Sequence, residues 1–180
     1  MKDSSFADGT PQNPGGLLNL DWIRKDGGYL DLDCRIWFFT NYYSISPGMI
    51  SQIPGKGAKY MIGFTDSDGT ALSGGTNYKI NLPPNIPVAN FWSVTLCDAE
   101  NASGLANGQH FPSLGSRDKP EQSPDGSIDV YLGPEAPEGH KGNWLATVPG
   151  KGYFVILRLY APTEAAINKT WIPGDIEKIK

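Results

Sequence analysis

From Gly55 onward, turn signals cut the sequence into short apolar pieces. Asp66-Ser67-Asp68-Gly69, Pro83-Pro84-Asn85 with Pro87, Pro124-Asp125-Gly126, Gly133-Pro134, Pro137-Glu138-Gly139 and Pro162 recur along it. Each acts locally: Asp and Asn bond their own backbone, glycine accepts positive φ, and proline offers no N–H to a sheet. The segments between them, residues 58–65, 77–82, 90–98, 127–132, 143–148 and 152–160, read as strands. Tyr78, Ile80 and Leu82 share one face of their strand. Trp92, Val94 and Leu96 face one way, with Ser93 and Thr95 on the other. Residues 152–160 are apolar on both faces, which places that strand in the middle of a sheet. The chain holds 22 glycines and 15 prolines among 180 residues. That is about a fifth of the chain, against roughly 12% in ordinary domains, and the excess leaves little room for long helices. The fold class expected is mainly β: a single antiparallel β-sandwich of jelly-roll type with one short N-terminal helix.

The organisation is simple. Residues 1–19 are a polar, partly disordered lead-in, and residues 20–180 form one domain. Ile36, Phe39 and Tyr43 recur at helical steps within residues 34–45. Asp31 or Asp33 stands at the N-cap and Pro47-Gly48 at the stop, so the helix is placed there, although the aromatic density of the segment also permits a strand. Residues 99–127 are long, polar and loop-like, a length that points to a functional or partner-bound loop. Near the C-terminus, Trp171-Ile172-Pro173-Gly174 reads as an apolar anchor that docks on the body. Ile53-Pro-Gly-Lys-Gly57 and Val148-Pro-Gly-Lys-Gly152 echo one another and both precede apolar strands. They read as two similar turns, and neither has the G-x-x-x-x-G-K-[ST] pattern of a phosphate loop.

Composition removes several function classes. A formal net charge of −4 gives no electrostatic basis for nucleic-acid binding. Two histidines argue against a multi-histidine metal site, and no cofactor or metal is expected. Asp66-Ser-Asp68-Gly69 starts like a calcium loop but lacks the later ligand spacing and closing glutamate, so it reads as a turn. No apolar run is long enough to span a bilayer, so no membrane partner is expected. The N-terminus has no signal-peptide-like stretch, which makes the cytoplasm the default compartment, with the periplasm following if longer relatives are exported. Cys34 and Cys97 are two isolated thiols, not a disulfide framework. Asn101-Ala-Ser103 and Asn168-Lys-Thr170 match the short glycosylation sequon.

The candidate site residues are few. Arg158 lies in the central apolar strand on the parity of Phe154, Ile156 and Tyr160. A guanidinium there needs partners. Its structural reading is a salt bridge, with Asp98 or Asp129 as candidates, or a position at the strand end in water. Its functional reading is bidentate recognition of a carboxylate, phosphate or sulfate. Trp92 and Trp144, with Phe91, are core residues or else a stacking platform for a sugar or another flat ligand, with Asn143 fixing orientation. Exposed tryptophan faces would support the platform and buried rings would end it. His110 sits in the long loop near Ser113 and Ser116, and His140 in a glycine-rich turn. No G-x-S-x-G elbow accompanies them.

Several blocks occur in a fixed order: YKINLPPNIPVANFWSVTLCD (78–98), FPSL (111–114), DGSIDVYLGPEAP (125–137), NWLATVPGKGYFVILRLYAP (143–162) and WIPGDIE (171–177). As a set they resemble the bacterial family called domain of unknown function 1214. DLDCRIWFFTNYYSISPGMI (31–50) resembles the segment leading into it. The resemblance covers roughly residues 20–177 and implies a β-rich, jelly-roll-like fold and no particular reaction. It also implies a preceding β domain, domain of unknown function 1254, which this sequence does not display. Family members tend to carry an aromatic where this chain has Cys97. Surface normally covered by the preceding domain would then be exposed or covered by a second copy, and a homodimer is one consequence. The function expected is a non-catalytic module for a small anionic or carbohydrate-like ligand, or for assembly, with Arg158, Trp92, Asn143, Trp144, Asp98 and His110 as candidate ligand-binding residues. The alternatives are an enzyme, such as a hydrolase, with a cleft beside the 99–127 loop using Arg158 and carboxylates, and an interaction remnant that pairs with the missing β domain.

Overall fold

The computed structural model describes residues 6–7 and 53–179. Its strands are β1 (Phe6–Ala7), β2 (Ala58–Gly63), β3 (Tyr78–Leu82), β4 (Val88–Asp98), β5 (Ser113–Gly115), β6 (Ile128–Gly133), β7 (Trp144–Ala146), β8 (Tyr153–Pro162) and β9 (Ile176–Lys178). Among the described residues, helix is limited to single 3-10 turns at Ser116–Asp118 and Lys141–Asn143 and a four-residue α-helix, Glu164–Ile167. The protein is mainly β. The helix expected over residues 34–45 lies outside the described residues, as does most of the polar lead-in, within which β1 falls.

Two sheets result, with strand orders β1-β2-β8-β4-β5 and β7-β6-β3-β9. The strand read as apolar on both faces, β8, occupies the centre of the first, between β2 and β4. One pairing corrects the expectation of wholly antiparallel sheets: β7 runs parallel to β6. The reason is the connection. Residues 134–143 cross over through a 3-10 turn instead of making a tight hairpin, so the chain returns in its original direction.

The sheets share one core. Trp92, Val94 and Leu96 of β4 and Val155, Leu157 and Leu159 of β8 meet Ile80 and Leu82 of β3 and Val130 and Leu132 of β6. These are the inward positions of period-2 strands, and apolar burial at them holds the layers together. β9 contributes Ile176, fully buried, and Trp171 packs on the core's edge while its Nε1 donates to the Pro83 carbonyl at 3.3 Å. The C-terminal segment therefore docks, as its apolar residues imply. Inside the core, Tyr78 and Tyr153 meet edge to face. The Tyr78 hydroxyl accepts from the Ser73 amide, but the Tyr153 hydroxyl is buried with no hydrogen-bond partner among the described residues. Burial, with Tyr78 beside it, pushes the Tyr153 phenol far up.

The turns follow their residues. In both echoed pentapeptides the lysine amide donates to the carbonyl three residues back at 3.1 Å, from Lys56 to Ile53 and from Lys151 to Val148. Gly55 and Gly150 sit at φ 75° and 83°, the positive φ that the third position of a Pro-Gly turn requires. They feed β2 and β8, which pair antiparallel, so the two turns stand at opposite ends of one strand pair.

Candidate functional site

The site is on the outer face of the five-stranded sheet. Alternation along β8 that buries Val155, Leu157 and Leu159 turns Phe154, Ile156, Arg158 and Tyr160 outward. The same rule on β4 turns Phe91, Ser93, Thr95 and Cys97 to that side. Register sets Ser93 opposite Arg158, Phe91 opposite Tyr160 and Thr95 opposite Ile156. On the far side of β4, β5 sets Gly115 against Ser93 and Ser113 against Thr95.

An open groove of about 620 Å³ runs over this face. Arg158 and Arg117 supply its positive charges and Asp118 its negative one, with Phe111 and Pro112 forming an apolar end by Cys97 and Phe91 standing at the other end beside Arg117. Arg117 stacks over the Phe91 ring at 4.3 Å, and Phe91 stacks on Tyr160 with ring centres 4.1 Å apart. Asp118 Oδ2 accepts from the Gly115 amide at 2.7 Å. The hydroxyls of Thr95 and Ser113 bond each other at 3.0 Å. One hydrogen suffices for that bond, which leaves one hydroxyl hydrogen to donate elsewhere.

Arg158 is half-buried in this groove and has neither a carboxylate nor a hydrogen-bond partner among the described residues. The salt bridges expected for it do not form, because both carboxylates are engaged elsewhere. Asp98 faces Lys151 at 3.2 Å and accepts from the Glu100 amide at 2.8 Å. That amide bond and the Lys151 ammonium hold its carboxyl below the usual range. Asp129 accepts from Asn81 at 2.7 Å and faces Lys79 at 3.7 Å. The Arg158 charge does reach Cys97: burial pushes that thiol up, and the guanidinium opposes the rise. Cys97 is a free, buried thiol, and its sequence counterpart Cys34 lies outside the described residues.

The other sequence candidates do not gather here. Trp92 borders the groove, but its residue is 4% exposed and packs in the core, so its ring provides no stacking platform. Trp144 is half-buried and its Nε1 donates to the Gly133 carbonyl at 2.9 Å. Asn143 is buried: its amide donates to the carbonyls of Glu121 and Asp129, and its oxygen accepts from the Glu121 amide. It clamps the long loop to β6. His110 is exposed, edge-on to Phe111, and His140 stacks on Tyr131.

Residues 99–127 prove to be a docked segment. They include β5, bury Leu105, and bond to β7 through Asn107 to the Ala146 carbonyl and through the Ala146 amide to Gln109. Arg117, Ser93, Ser113 and Phe111 were not singled out as ligand-binding residues from the sequence. The parity of Ser93 with Thr95 was a usable signal. Arg117 and Phe111 lie in the loop, where no period marks the side they face.

Among the described residues, no group of three or more His, Cys, Asp or Glu is placed to hold a metal ion. No helix of the described residues is long and apolar enough to cross a membrane.

Residues 57–164 match the family described as Protein of unknown function (DUF1214). No curated protein matches the sequence. Among solved structures, the VPA0106 protein from Vibrio parahaemolyticus is 26% identical with a TM-score of 0.62, over 79% of this chain and 35% of its own length. An uncharacterized protein from Burkholderia cenocepacia is 18% identical with a TM-score of 0.45, over 72% of this chain and 32% of its own. The chain thus spans about a third of each of these structures.

Proposed function

Starting from a chain that belongs to the DUF1214 family, whose description names no reaction, we propose a non-catalytic module that binds a small anion in the groove on the outer sheet face. The observation that carries this is Arg158, a half-buried guanidinium with no carboxylate beside it among the described residues. An anion that makes two parallel hydrogen bonds to it would supply the missing charge and acceptors. Catalysis has less support. Among the described residues Asp118 is the one carboxylate lining the groove, and it already accepts the Gly115 amide. Calorimetric titration of the full chain with acetate or inorganic phosphate at low ionic strength tests the proposal. Binding is expected for at least one of them, and Arg158→Ala should weaken it by about tenfold or more, with Arg158→Lys retaining part because it keeps the charge without the fork. Equal affinities for wild type and Arg158→Ala would sink the proposal.

The finer architectural reading belongs with this function. A jelly-roll-type wrapping of one domain over residues 20–180 is supported by the two sheets sharing one core. Pairing with a preceding β domain of the DUF1254 kind, in a bacterial protein, is supported by the 35% coverage of the longer Vibrio structure. Tyr60 and Phe64, both exposed on the first sheet's side of the molecule, are surface such a domain would cover. The chain is then expected to co-elute in size-exclusion chromatography with the separately produced portion of the Vibrio protein that it does not match. Separate elution at tens of micromolar would count against the pairing.

A further inference from the structure

Resting on the anion reading above, we infer that the groove takes a monocarboxylate with a flat apolar body, its carboxylate on Arg158 and Ser93 and its body against Phe111 and Pro112. Charge sets the ligand's valence. Among the described residues Arg158 and Arg117 face a single carboxylate, Asp118, so their lining carries one net positive charge. Arg117 already has its guanidinium face on Phe91, whereas Arg158 has no ion-pair, hydrogen-bond or ring partner among the described residues.

Polar geometry sets the headgroup. Ser93 stands directly across the β4–β8 ladder from Arg158, and its hydroxyl has no partner among the described residues. Beside it, the Thr95–Ser113 pair has one hydroxyl hydrogen left to give. A planar fork with neighbouring hydroxyls suits a carboxylate held at one end of a ligand.

Size and apolar lining set the body. A volume of about 620 Å³ falls in the range of small-molecule sites, roughly 300–1,000 Å³. An inorganic ion would leave most of it to water. Phe111 is 67% exposed at the groove's apolar end, next to Pro112, and a flat ligand would remove that ring from water.

The probes are phenylacetate, acetate, inorganic phosphate and the neutral 2-phenylethanol, titrated calorimetrically into the full chain. Phenylacetate is expected to bind about tenfold or more tightly than acetate or 2-phenylethanol, since ring burial and the charge each contribute. It should also bind more tightly than phosphate. Phe111→Ala, at an exposed position that leaves folding intact, should weaken phenylacetate about fivefold or more. Phenylacetate no tighter than acetate, phosphate the tightest of the four, or an unchanged Phe111→Ala would each overturn this inference. In those outcomes the anion reading survives if Arg158→Ala still weakens binding about tenfold or more. Failure of every anion to bind overturns both.

Discussion

Gly74→Ala is expected to destabilise the protein by about 3 kcal/mol in urea unfolding. Gly74 lies in the connection between β2 and β3, pressed against the Pro-Gly turn that feeds β8. A Cβ there would stand 2.0 Å from the Val148 carbonyl oxygen and 2.6 Å from its carbon. Those are backbone atoms of a hydrogen-bonded turn and cannot rotate aside. The same contact holds two bonds that must lengthen if the chains separate: the Gly74 amide donates to Lys151 O at 2.9 Å, and Thr147 Oγ1 donates to Gly74 O at 2.7 Å. Overpacking costs about 1–3 kcal/mol and each bond about 1 kcal/mol, which sets the magnitude. The neighbouring Gly75 is the internal control. A Cβ there meets nothing within 4 Å, so Gly75→Ala should change stability by no more than about 0.5 kcal/mol. Equal midpoints for the two variants would show that the close approach at Gly74 is not what shapes this junction.

Asp66→Ala is expected to cost about 2 kcal/mol at neutral pH, with most of that cost disappearing in acid. Asp66 is buried, and its Oδ1 accepts from the amides of Asp68 and Thr70 at 3.0 and 2.9 Å. Its Oδ2 lies 2.9 Å from Lys178 Nζ in β9. That contact pairs the two charges across the gap between the Asp66 turn and β9. Burial is the largest single influence on the carboxyl and pushes its pKa up. Lys178 and the two amides together outweigh burial and leave the group below its ordinary value. Lys178 is raised in turn, chiefly by its contact with Asp66.

A carboxyl lowered on folding stabilises the fold above its unfolded pKa, about 3.9, and that stability is lost as pH falls through the folded value. A lysine raised on folding contributes below about 10.5 and loses its share as pH rises beyond that. Lys178 is substantially exposed, so solvent screens its charge and the backbone amides carry most of the effect. Asp98 and Asp125 are lowered too, so wild type should lose stability steeply below about pH 4. Asp66→Asn removes one of these titrations and should show a shallower acid slope in urea midpoints taken from pH 7 downward. Parallel slopes for the two proteins would refute the role given to Asp66.

Local chemistry made most of the fold legible. The six strand segments predicted from turn residues and alternation correspond to β2, β3, β4, β6, β7 and β8 within a few residues at each end. The inward set Trp92, Val94 and Leu96 is buried, and both Pro-Gly turns form. These features are written within ten residues or so, because alternation, positive φ and a missing amide hydrogen depend on neighbours in the chain. The strands β5 and β9, three residues each, were not legible. They are too short to show a period, and they exist because β4 and β3 present open edges to them.

The sequence by itself therefore determined the six longer strand segments, the shared faces of Tyr78, Ile80 and Leu82 and of Trp92, Val94 and Leu96, and the parity of Arg158 with Phe154, Ile156 and Tyr160. Tertiary structure alone decided what surrounds Arg158. Asp98 went to Lys151, 53 residues along the chain, and Asp129 to Asn81, 48 residues away. Asn143 became a clamp for the long loop instead of a ligand contact. Partner choice of this kind depends on register between distant strands, and a one-residue slip would exchange the faces on which these groups meet. That register left a guanidinium in an open groove among hydroxyls and aromatic rings, which no local pattern in the chain encodes.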